Sequence, residues 1–522
     1  MLILRVALDL PLHRLFDYRH PGPAGAEAAG WVGQRVRVPF GRGEKIGVIV
    51  EVAAGSEFPS EQLKPALEIL NDASPLPEDF FRLCRFAAAY YQAPLGEVVL
   101  AALPAGMKRL APPERRSGRK RKAPPPLPMP ALTDEQQAVL AAVTASQGFA
   151  AFLLHGVTGS GKTEVYLQLI ADCLARGRQV LLLVPEINLT PQLEARVLGR
   201  FPQVPVVALH SELAEAARER NWRQAASGEA RIVLGTRLAI FTPLPELGLI
   251  IVDEEHDASF KQQDGMRYSA RDVAVFRARE REVPILLGSA TPSLESWANA
   301  ESGRYRRLTM AARANAAARL PQVRLLDTRR ETLQEGLSPQ LLQAIALRLE
   351  RGEQSLVFLN RRGYAPVLCC PACGWVSRCR RCAANLVLHL ADRRLRCHHC
   401  GFEAHLPRAC PTCGNQDIQP FGRGTQRLEA WLAERFPEAR ILRVDRDSAR
   451  SRKQWEALLE QIHGDAATRP QILVGTQMLA KGHDFPLLTL VGVVGADSAL
   501  FAADWRSPER LFAQLMQVAG RA

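Results

Sequence analysis

Eight cysteines arranged as four Cys-x-x-Cys pairs form the densest group of chemically reactive side chains in this sequence. The pairs are Cys370 and Cys373, Cys379 and Cys382, Cys397 and Cys400, and Cys410 and Cys413. Eight thiolates can hold two tetrahedral zinc ions, and a closed set of four protein ligands is typical of a structural site. The spacing permits three combinations of the pairs and leaves Cys369 outside them. Redox-active pairs are the alternative, but no thioredoxin-like context surrounds them. We therefore predict two structural zinc ions.

A glycine-rich segment indicates a second kind of chemistry, nucleotide binding. It lies between a predicted strand at 152–154 and a predicted helix at 164–174, as a phosphate loop requires. Backbone N–H groups in such a loop approach a triphosphate, while Lys162 can reach the β and γ phosphates and Thr163 can bind Mg²⁺. A glycine-rich turn without nucleotide is the alternative. The predicted ATP-binding residues of the loop are Gly156, Thr158, Gly159, Ser160, Gly161, Lys162 and Thr163.

Three acidic residues, Asp253, Glu254 and Glu255, follow the apolar run at 249–252, where the carboxyl end of a parallel strand would place acidic groups beside a ligand. Asp253 is suited to binding Mg²⁺, and Glu254 is suited to polarising an attacking water. A solvated turn is the alternative for such a strand end. With Lys162 and Thr163, Asp253 and Glu254 are the predicted catalytic group.

These side chains must be positioned by a parallel sheet, because short apolar strands alternate with helical stretches from residue 132 onward. A second such series begins near residue 355, is interrupted by the cysteine cluster, and resumes near residue 441. Residues 1–107 instead alternate apolar and polar positions between turn signals, which favours a small β-rich domain. The predicted fold class is α/β, with two parallel-sheet lobes, a β-rich N-terminal domain and a cysteine-rich insertion.

Length and charge fit several domains and a polyanionic partner. The 522 residues exceed the size of one domain, and the net charge is +13. A basic, proline-rich linker at 108–131 contributes much of that charge, either as a solvated tether or as a DNA-contacting arm. No apolar run reaches 18 residues, and Arg5, Asp9 and His13 interrupt the N-terminus. We expect a cytoplasmic protein that binds nucleic acid and no membrane.

Further motifs match a helicase pattern. Besides the phosphate loop, the chain carries DEEH at 253–256, GSATP at 288–292 and QVAGR at 517–521. Other distinctive segments are VPEINLTPQ at 184–192, HSEL at 210–213, GTRLAIFTP at 235–243, FLNRRGYAP at 358–366 and GTQMLAKGHDFP at 475–486. The first set resembles motifs I, II, III and VI of the second large helicase superfamily. Together the segments most closely resemble the PriA family of primosomal replication-restart DNA helicases, over most of the chain.

The resemblance implies two RecA-like lobes and roles for further residues. Gln136 would lie near the adenine, Gly482 and Asp484 would couple the second lobe to nucleotide, and Arg521 would stabilise transition-state charge. The segment 289–291 would link hydrolysis to lobe movement. The resemblance also selects a nested zinc arrangement, in which the outer two cysteine pairs share one zinc and the inner two share the other.

The same resemblance implies two DNA-binding surfaces. Phe16, Asp17, Gly41 and Lys64 match a pocket that captures the 3′ end of a nascent strand: an aromatic ring stacks the last base, a carboxylate bonds the 3′ hydroxyl and a lysine contacts phosphate. Phe260 and Tyr268 lie in a segment resembling the family's aromatic-rich loop and would stack on exposed bases. Burial in the core is the alternative for Phe260.

Three departures from the family pattern accompany these matches. The basic linker occupies the interval where the family has a winged-helix domain, motif VI ends at Ala522 without a second Gly-Arg, and Gly495 replaces an acidic residue. The expected domains are, by residue number, 1–107 for 3′-end binding, 108–131 for the linker, 132–325 for lobe 1, 326–368 and 415–522 for lobe 2, and 369–414 for the two-zinc insertion.

The leading hypothesis is an ATP-dependent 3′–5′ DNA helicase that recognises stalled or repaired replication forks and D-loops and starts primosome assembly. Its expected cofactors are ATP, Mg²⁺ and two Zn²⁺, and its expected partners are forked and single-stranded DNA, single-strand-binding protein, and primosome and helicase-loading proteins. A non-hydrolysing fork-recognition scaffold is the alternative, motivated by the end of the chain within motif VI. A duplex translocase of a restriction or remodelling complex would share the motor motifs but would not explain the four cysteine pairs.

Overall fold

The computed structural model forms two compact units, Met1–Ala314 and Asn315–Ala522. It describes residues 2–20, 30–109, 129–185, 191–315, 321–359, 367–370, 372–382, 385–389, 392–397, 400–420, 425–444, 448, 452–464, 469–475, 485, 487–500 and 504–521. Within these ranges, no helix combines the length and the apolar character needed to cross a membrane.

The first unit begins with an antiparallel sheet, which confirms the predicted β-rich start of the chain. In the described part its strand order is β2-β1-β4-β3-β5. The strands are β1 Leu2–Ala7, β2 Phe16–His20, β3 Arg35–Phe40, β4 Gly43–Ala53 and β5 Glu68–Leu70. Helices α1 Glu78–Tyr90 and α2 Leu95–Ala101 and a 3₁₀ turn at Ala105–Lys108 follow.

A parallel sheet dominates the rest of this unit, with the order β12-β6-β11-β10-β7-β9-β8 among the described residues. Its strands are β6 Ala151–Gly156, β7 Gln179–Leu183, β8 Val206–Leu209, β9 Ile232–Gly235, β10 Leu247–Asp253, β11 Ile285–Ser289 and β12 Arg306–Met310. The helices are α3 Asp134–Thr144, α4 Lys162–Ala175, α5 Pro191–Arg200, α6 Glu215–Ala226, α7 Ala270–Glu280 and α8 Leu294–Glu301. The apolar runs read from the sequence are thus confirmed as parallel strands.

Successive strand residues enter two different cores, because side chains alternate between the faces of a sheet. On one face, Phe152 and Leu154 pack with residues of α3 and α4. On the other, Leu153 and Leu287 belong to a cluster that also holds residues of α1, α2 and α7. Burial on both faces explains why these strands read as continuous apolar runs.

The helices of the N-terminal domain therefore share a core with the parallel sheet. The rings of Phe86 on α1 and Phe276 on α7 stack with centroids 3.6 Å apart and planes 4° from parallel. Beside them, Arg281 Nη1 donates to Asp79 Oδ2 at 2.6 Å. The buried guanidinium of Arg277 donates to the carbonyls of Ile240 and Thr242 at 2.6 and 2.7 Å. The N-terminal domain is consequently joined to this sheet by packing as well as by the chain.

The second unit contains another parallel sheet, of order β19-β20-β13-β21 in the described residues. Its strands are β13 Gln354–Leu359, β19 Ile441–Val444, β20 Ile472–Gly475 and β21 Leu488–Val494, and its helices are α9 Pro339–Glu350, α10 Thr425–Arg435, α11 Arg452–Ile462 and α12 Ser507–Ala519. The cysteine-rich insertion is bounded by a ladder between β14 Leu368–Cys369 and β18 Gln419–Pro420. Inside it lie β15 Val387–His389, β16 Arg394–Arg396 and β17 Glu403–His405.

We predict that Phe86→Ala and Phe276→Ala each lower the free energy of unfolding of the first unit by about 2 kcal/mol, through lost burial of an aromatic ring. Because the rings contact each other, the double variant should fall short of the sum of the two losses by about 1 kcal/mol. Urea unfolding followed by circular dichroism measures these losses. Phe58→Ala is the control, since that ring is 49% exposed. Strict additivity of the two losses would show that the stacking contributes nothing.

Candidate nucleotide site and zinc centres

The phosphate loop connects the end of β6 to the start of α4. Gly159 and Gly161 have φ angles of +80° and +82°, in the left-handed region that favours glycine. A Cβ at Gly161 would also lie 2.3 Å from the side-chain nitrogen of Gln136. Lys162 begins α4, so the N–H groups of the first helical turn are directed at the loop. The local sequence therefore builds a helix start whose free N–H groups can meet an anion, while its binding of a triphosphate remains a prediction.

The two polar side chains at this helix start lie at the loop. Lys162 Nζ donates to the carbonyl oxygen of Gly156 at 2.8 Å. Lys162 and Thr163 are both partly exposed, so each can meet a ligand in the loop. The ammonium can neutralise phosphate charge, and the hydroxyl is a hard oxygen donor of the kind that Mg²⁺ prefers.

Gln136 lies at the loop and uses both of its amide atoms there. Its oxygen accepts from the N–H of Thr133 at 3.0 Å, completing a capping box at the start of α3. Its nitrogen donates to the carbonyl of Ser160 at 3.1 Å. In this conformation Gln136 braces the phosphate loop. The adenine contact implied by the family resemblance remains a prediction.

Asp253 ends β10, beside the loop's helix. Its Oδ1 accepts from the phenol of Tyr166 at 2.9 Å. Burial, and after it the neighbouring Glu254 carboxylate, raise the pKa of Asp253 to about 6, although Lys162 and the hydrogen bond from Tyr166 act in the opposite direction. A cation bound here would favour the charged carboxylate for the same electrostatic reason that Lys162 does.

Glu254 has a φ of +49°, which is unusual for a residue with a side chain and costs about 1 kcal/mol or more. Such strained positions cluster at functional sites. Its carboxylate lies 3.6 Å from His256 Nδ1. The same histidine nitrogen is 2.8 Å from Ser289 Oγ, and that oxygen accepts from the N–H of Thr291 at 2.9 Å. The acidic strand end and the segment 289–291 are therefore in direct contact.

Sequence reasoning missed the role of Glu255, which is 1% exposed. It accepts hydrogen bonds from the N–H and hydroxyl of Ser293 at 2.7 and 2.9 Å and from the hydroxyl of Ser296 at 2.7 Å. Arg271 Nη1 donates to the same carboxylate at 3.1 Å. Glu255 thus ties the strand end to α7 and α8. Ser293 also caps the start of α8, and no local sequence pattern reports its bond to Glu255.

The predicted 3′-end residues gather around β2. Phe16 packs edge-on against Phe40, next to Gly41 at the β3–β4 turn, with ring centroids 5.7 Å apart. The Asp17 carboxylate accepts from Ser56 Oγ at 2.5 Å. Arg19, which lies on β2 with Phe16 and Asp17, donates its N–H to the backbone carbonyl of the exposed Lys64 at 2.9 Å. The structure therefore brings the predicted residues to one region, while their binding of DNA remains a prediction.

The prediction that Phe260 and Tyr268 stack on exposed bases is wrong for this structure. Their side chains are 2% and 3% exposed and belong to the core shared with the N-terminal domain. Tyr268 packs edge-on against Phe241, with centroids 5.1 Å apart. Apolar burial outweighs exposure for both rings, as the core alternative anticipated for Phe260. The segment that holds Phe260 and Tyr268 also contacts the C-terminal end of α1. There the Tyr91 hydroxyl accepts from the N–H of Ser269 at 3.2 Å.

The remaining predicted nucleotide residues belong to the second unit. Arg521 follows α12, and its N–H donates to the carbonyl of Val518 at 3.1 Å. Gly482 and Asp484 lie outside the described residues. The roles of these three residues in nucleotide binding or catalysis remain predictions.

The eight paired cysteines form two groups of four, and the ligand atoms within each group lie within 4.8 Å of one another. One group is Cys370, Cys373, Cys410 and Cys413, and the other is Cys379, Cys382, Cys397 and Cys400. The closest sulfur pairs are 3.5 to 3.6 Å apart. Zinc–sulfur bonds of about 2.3 Å in a tetrahedron require sulfurs about 3.8 Å apart, so the arrangement fits zinc. The nested pairing is confirmed.

Backbone turns shape both centres. The N–H groups of Gly374, Gly401 and Gly414 each donate at 2.9 Å to the carbonyl of the first cysteine in the preceding pair. These glycines have φ angles of +73°, +74° and +76°. A residue in the left-handed region lets the chain turn around the metal, so glycine after the second cysteine is physically favoured.

The chain thus combines a parallel-sheet unit that carries a phosphate loop with a Cys₄-type zinc insertion, the parts expected of a zinc-containing helicase. Family models agree: residues 133–299 match the DEAD/DEAH box helicase model. Residues 5–104 match the PriA 3′DNA-binding domain, and residues 379–404 match the PriA DNA helicase Cys-rich region domain.

Curated relatives extend this likeness along the chain. The Replication restart protein PriA of Haemophilus influenzae is 40% identical over 100% of this chain and 80% of its own length. The Treponema pallidum protein of the same name is 38% identical over 99% of this chain and 78% of its own length. The Bacillus subtilis protein is 44% identical over 76% of this chain and 49% of its own length. The chain belongs to the PriA family of replication restart proteins.

Among solved structures, RecG bound to a three-way DNA junction is 19% identical, with a TM-score of 0.43. The match covers 76% of this chain and 41% of RecG.

We predict that Cys379→Ser leaves about one zinc per chain instead of two, because a serine hydroxyl does not replace a thiolate as a zinc ligand. Elemental analysis by mass spectrometry after desalting measures the metal content. Cys369→Ser is the matched control and should retain two zincs, since Cys369 belongs to neither group of four. Two zincs in the Cys379 variant, or one in the control, would contradict the assignment of ligands.

Proposed function

We propose that this protein is an ATP-dependent 3′–5′ DNA helicase that recognises stalled or repaired replication forks and D-loops and starts primosome assembly. The observation that carries the proposal is the shared core of the first unit. In it, the domain matching a 3′ DNA-binding model packs directly against the sheet that holds the phosphate loop. Recognition of a 3′ end and hydrolysis of ATP would therefore take place on domains that share one hydrophobic core.

Hydrolysis would use the residues at the carboxyl edge of the parallel sheet. Lys162 would hold the β and γ phosphates, and Glu254 would orient the attacking water. The Thr163 hydroxyl and the Asp253 carboxylate are oxygen donors suited to Mg²⁺, which would neutralise phosphate charge when bound. The contact of His256 with Ser289 supports a link from this site to the segment 289–291. That link would pass the state of the nucleotide to the rest of the motor.

The N-terminal pocket would supply recognition of a 3′ end. Phe16 would stack the terminal base, and Asp17 would accept a hydrogen bond from the 3′ hydroxyl. Lys64, which is exposed, would contact phosphate. The Asp17 carboxylate would also distinguish a 3′ hydroxyl from a 3′ phosphate on the DNA, because its negative charge would repel the phosphate.

The proposed partners are forked and single-stranded DNA, single-strand-binding protein, and primosome and helicase-loading proteins. The name of the curated relatives, replication restart protein, supports this setting. The alternative, a fork-recognition scaffold that does not hydrolyse ATP, is not favoured. The phosphate loop with Lys162 and the carboxylates of Asp253 and Glu254 are all present at one edge of the sheet.

We expect forked DNA with a 3′ end at the branch to stimulate ATP hydrolysis, and Lys162→Ala to reduce the rate on the order of 100-fold or more by removing a phosphate contact. Glu254→Gln should retain ATP binding and lose hydrolysis. Phosphate release measures the rate, and strand separation on 3′-tailed and 5′-tailed duplexes measures direction. Fork binding without ATP turnover in Mg²⁺ would reject the helicase.

Asp17→Asn should weaken binding to a fork with a terminal 3′ hydroxyl by about tenfold, since a hydrogen bond to a charged group contributes on the order of 1.5 kcal/mol or more. Binding to the same fork with a 3′ phosphate should not weaken. Fluorescence anisotropy measures both affinities. Glu51→Gln is the control, because the Glu51 carboxylate pairs with Arg5 at 2.9 Å, as the Asp17 carboxylate does at 3.9 Å, but lies on β4. Equal losses on both DNA ends would contradict a role for Asp17 in reading the hydroxyl.

A further inference from the structure

A buried phenol lies at the carboxyl edge of the parallel sheet, where the proposed hydrolysis residues meet. Tyr166 belongs to α4, four residues after the loop lysine, and its side chain is 2% exposed. Its hydroxyl donates to Asp253 Oδ1 at 2.9 Å. The bond joins the helix that begins at the phosphate loop to the strand that ends in the acidic cluster. Sequence motifs did not single out this tyrosine.

The space for the hydroxyl comes from a missing side chain on the next strand. Gly288 pairs with Asp253 in the parallel register of β10 and β11. A Cβ at Gly288 would lie 1.8 Å from the Tyr166 hydroxyl oxygen, too close for both atoms to remain in place. This glycine has no positive φ in the structure, so backbone freedom does not explain its presence. The Tyr166 hydroxyl therefore occupies the space that any side chain at position 288 would need.

The chemistry of the donor is suited to a carboxylate that must also meet a cation. A phenol donates one hydrogen bond without adding positive charge, whereas a lysine or arginine there would repel a metal ion. The bond engages one oxygen of Asp253 and limits rotation of the carboxylate. The carboxylate also accepts from the backbone N–H of Glu254, and its remaining lone pairs are able to act as ligands.

We propose that Tyr166 is a positioning residue that orients the Asp253 carboxylate toward the divalent cation of the nucleotide complex, in space that Gly288 provides. The inference rests on the proposed ATP site and adds a determinant of its cation affinity. Tyr166 touches neither nucleotide nor metal and acts through Asp253. The proposal predicts that removing one hydroxyl weakens cation binding while nucleotide binding without metal is unchanged.

Tyr166→Phe tests this directly, because it removes the hydroxyl and keeps the ring in the core. Electron paramagnetic resonance of Mn²⁺ in the presence of saturating ADP should show about tenfold weaker Mn²⁺ binding, the scale of a lost hydrogen bond to a charged group. ADP affinity in EDTA should not change. The Mg²⁺ concentration for half-maximal ATP hydrolysis should rise by a similar factor, with the KM for ATP unchanged at saturating Mg²⁺.

Gly288→Ala provides a second route to the same effect, since its methyl group would displace the hydroxyl. It should weaken Mn²⁺ binding and lower the unfolding midpoint. In the Tyr166→Phe, Gly288→Ala double variant the closest clash is removed, but the methyl group would still lie 2.9 Å from ring carbon Cζ. Stability should therefore recover in part while Mn²⁺ binding stays weak. Recovery of stability without recovery of cation binding separates positioning from packing.

Tyr305→Phe is the matched control, because it removes a half-buried phenol elsewhere in the same unit and should leave Mn²⁺ binding unchanged. Unaltered Mn²⁺ affinity in Tyr166→Phe, or an equal loss in Tyr305→Phe, would overturn the proposal. The Mn²⁺ titration needs no turnover. A parent chain that binds Mn²⁺ and ADP without hydrolysing ATP would reject the helicase activity and still test Tyr166.

Discussion

The register of three parallel strands, β6, β10 and β11, is the constraint on which the nucleotide site depends. Asp253 pairs with Gly288, and Gly288 pairs with Leu154, two residues before the phosphate loop begins. The loop, the acidic residues and the segment 289–291 therefore leave the sheet at the same level. A shift of one residue would move apolar side chains between the two cores and would also separate the catalytic groups. Packing and chemistry are thus fixed by the same hydrogen-bond ladder.

Local patterns that have a physical cause of their own were predicted correctly from the sequence. Apolar runs predicted the parallel strands, and cysteine spacing predicted two zinc centres, because both patterns determine local geometry. Their nested combination came from the family resemblance and was confirmed by the sulfur positions. Long-range partners were harder to predict. The bonds of Glu255 to α7 and α8 depend on how segments pack, and no local pattern reports them.

Aromatic residues show the same limit most clearly. Phe260 and Tyr268 follow the acidic motif in a segment that resembles the family's aromatic-rich loop, and the resemblance implied an exposed stacking surface. The core of the first unit nevertheless encloses both. Helices α1 and α7 bring an N-terminal domain over this face of the sheet, and that contact could not be read from either segment alone. The contact of Tyr91 with Ser269 then joins the two domains beside the buried aromatics. Burial here is a property of the assembled unit.

The nested zinc arrangement has a consequence for how the second lobe folds. The inner centre spans 21 residues between Cys379 and Cys400, whereas the outer one spans 43 between Cys370 and Cys413. The entropic cost of closing a loop increases with its length, so the inner centre is the easier to close, and once closed it shortens the chain that the outer centre must span. The outer zinc then holds the two ends of the insertion together beside β14 and β18. The lobe's own sheet would then form across a short connection instead of a long one.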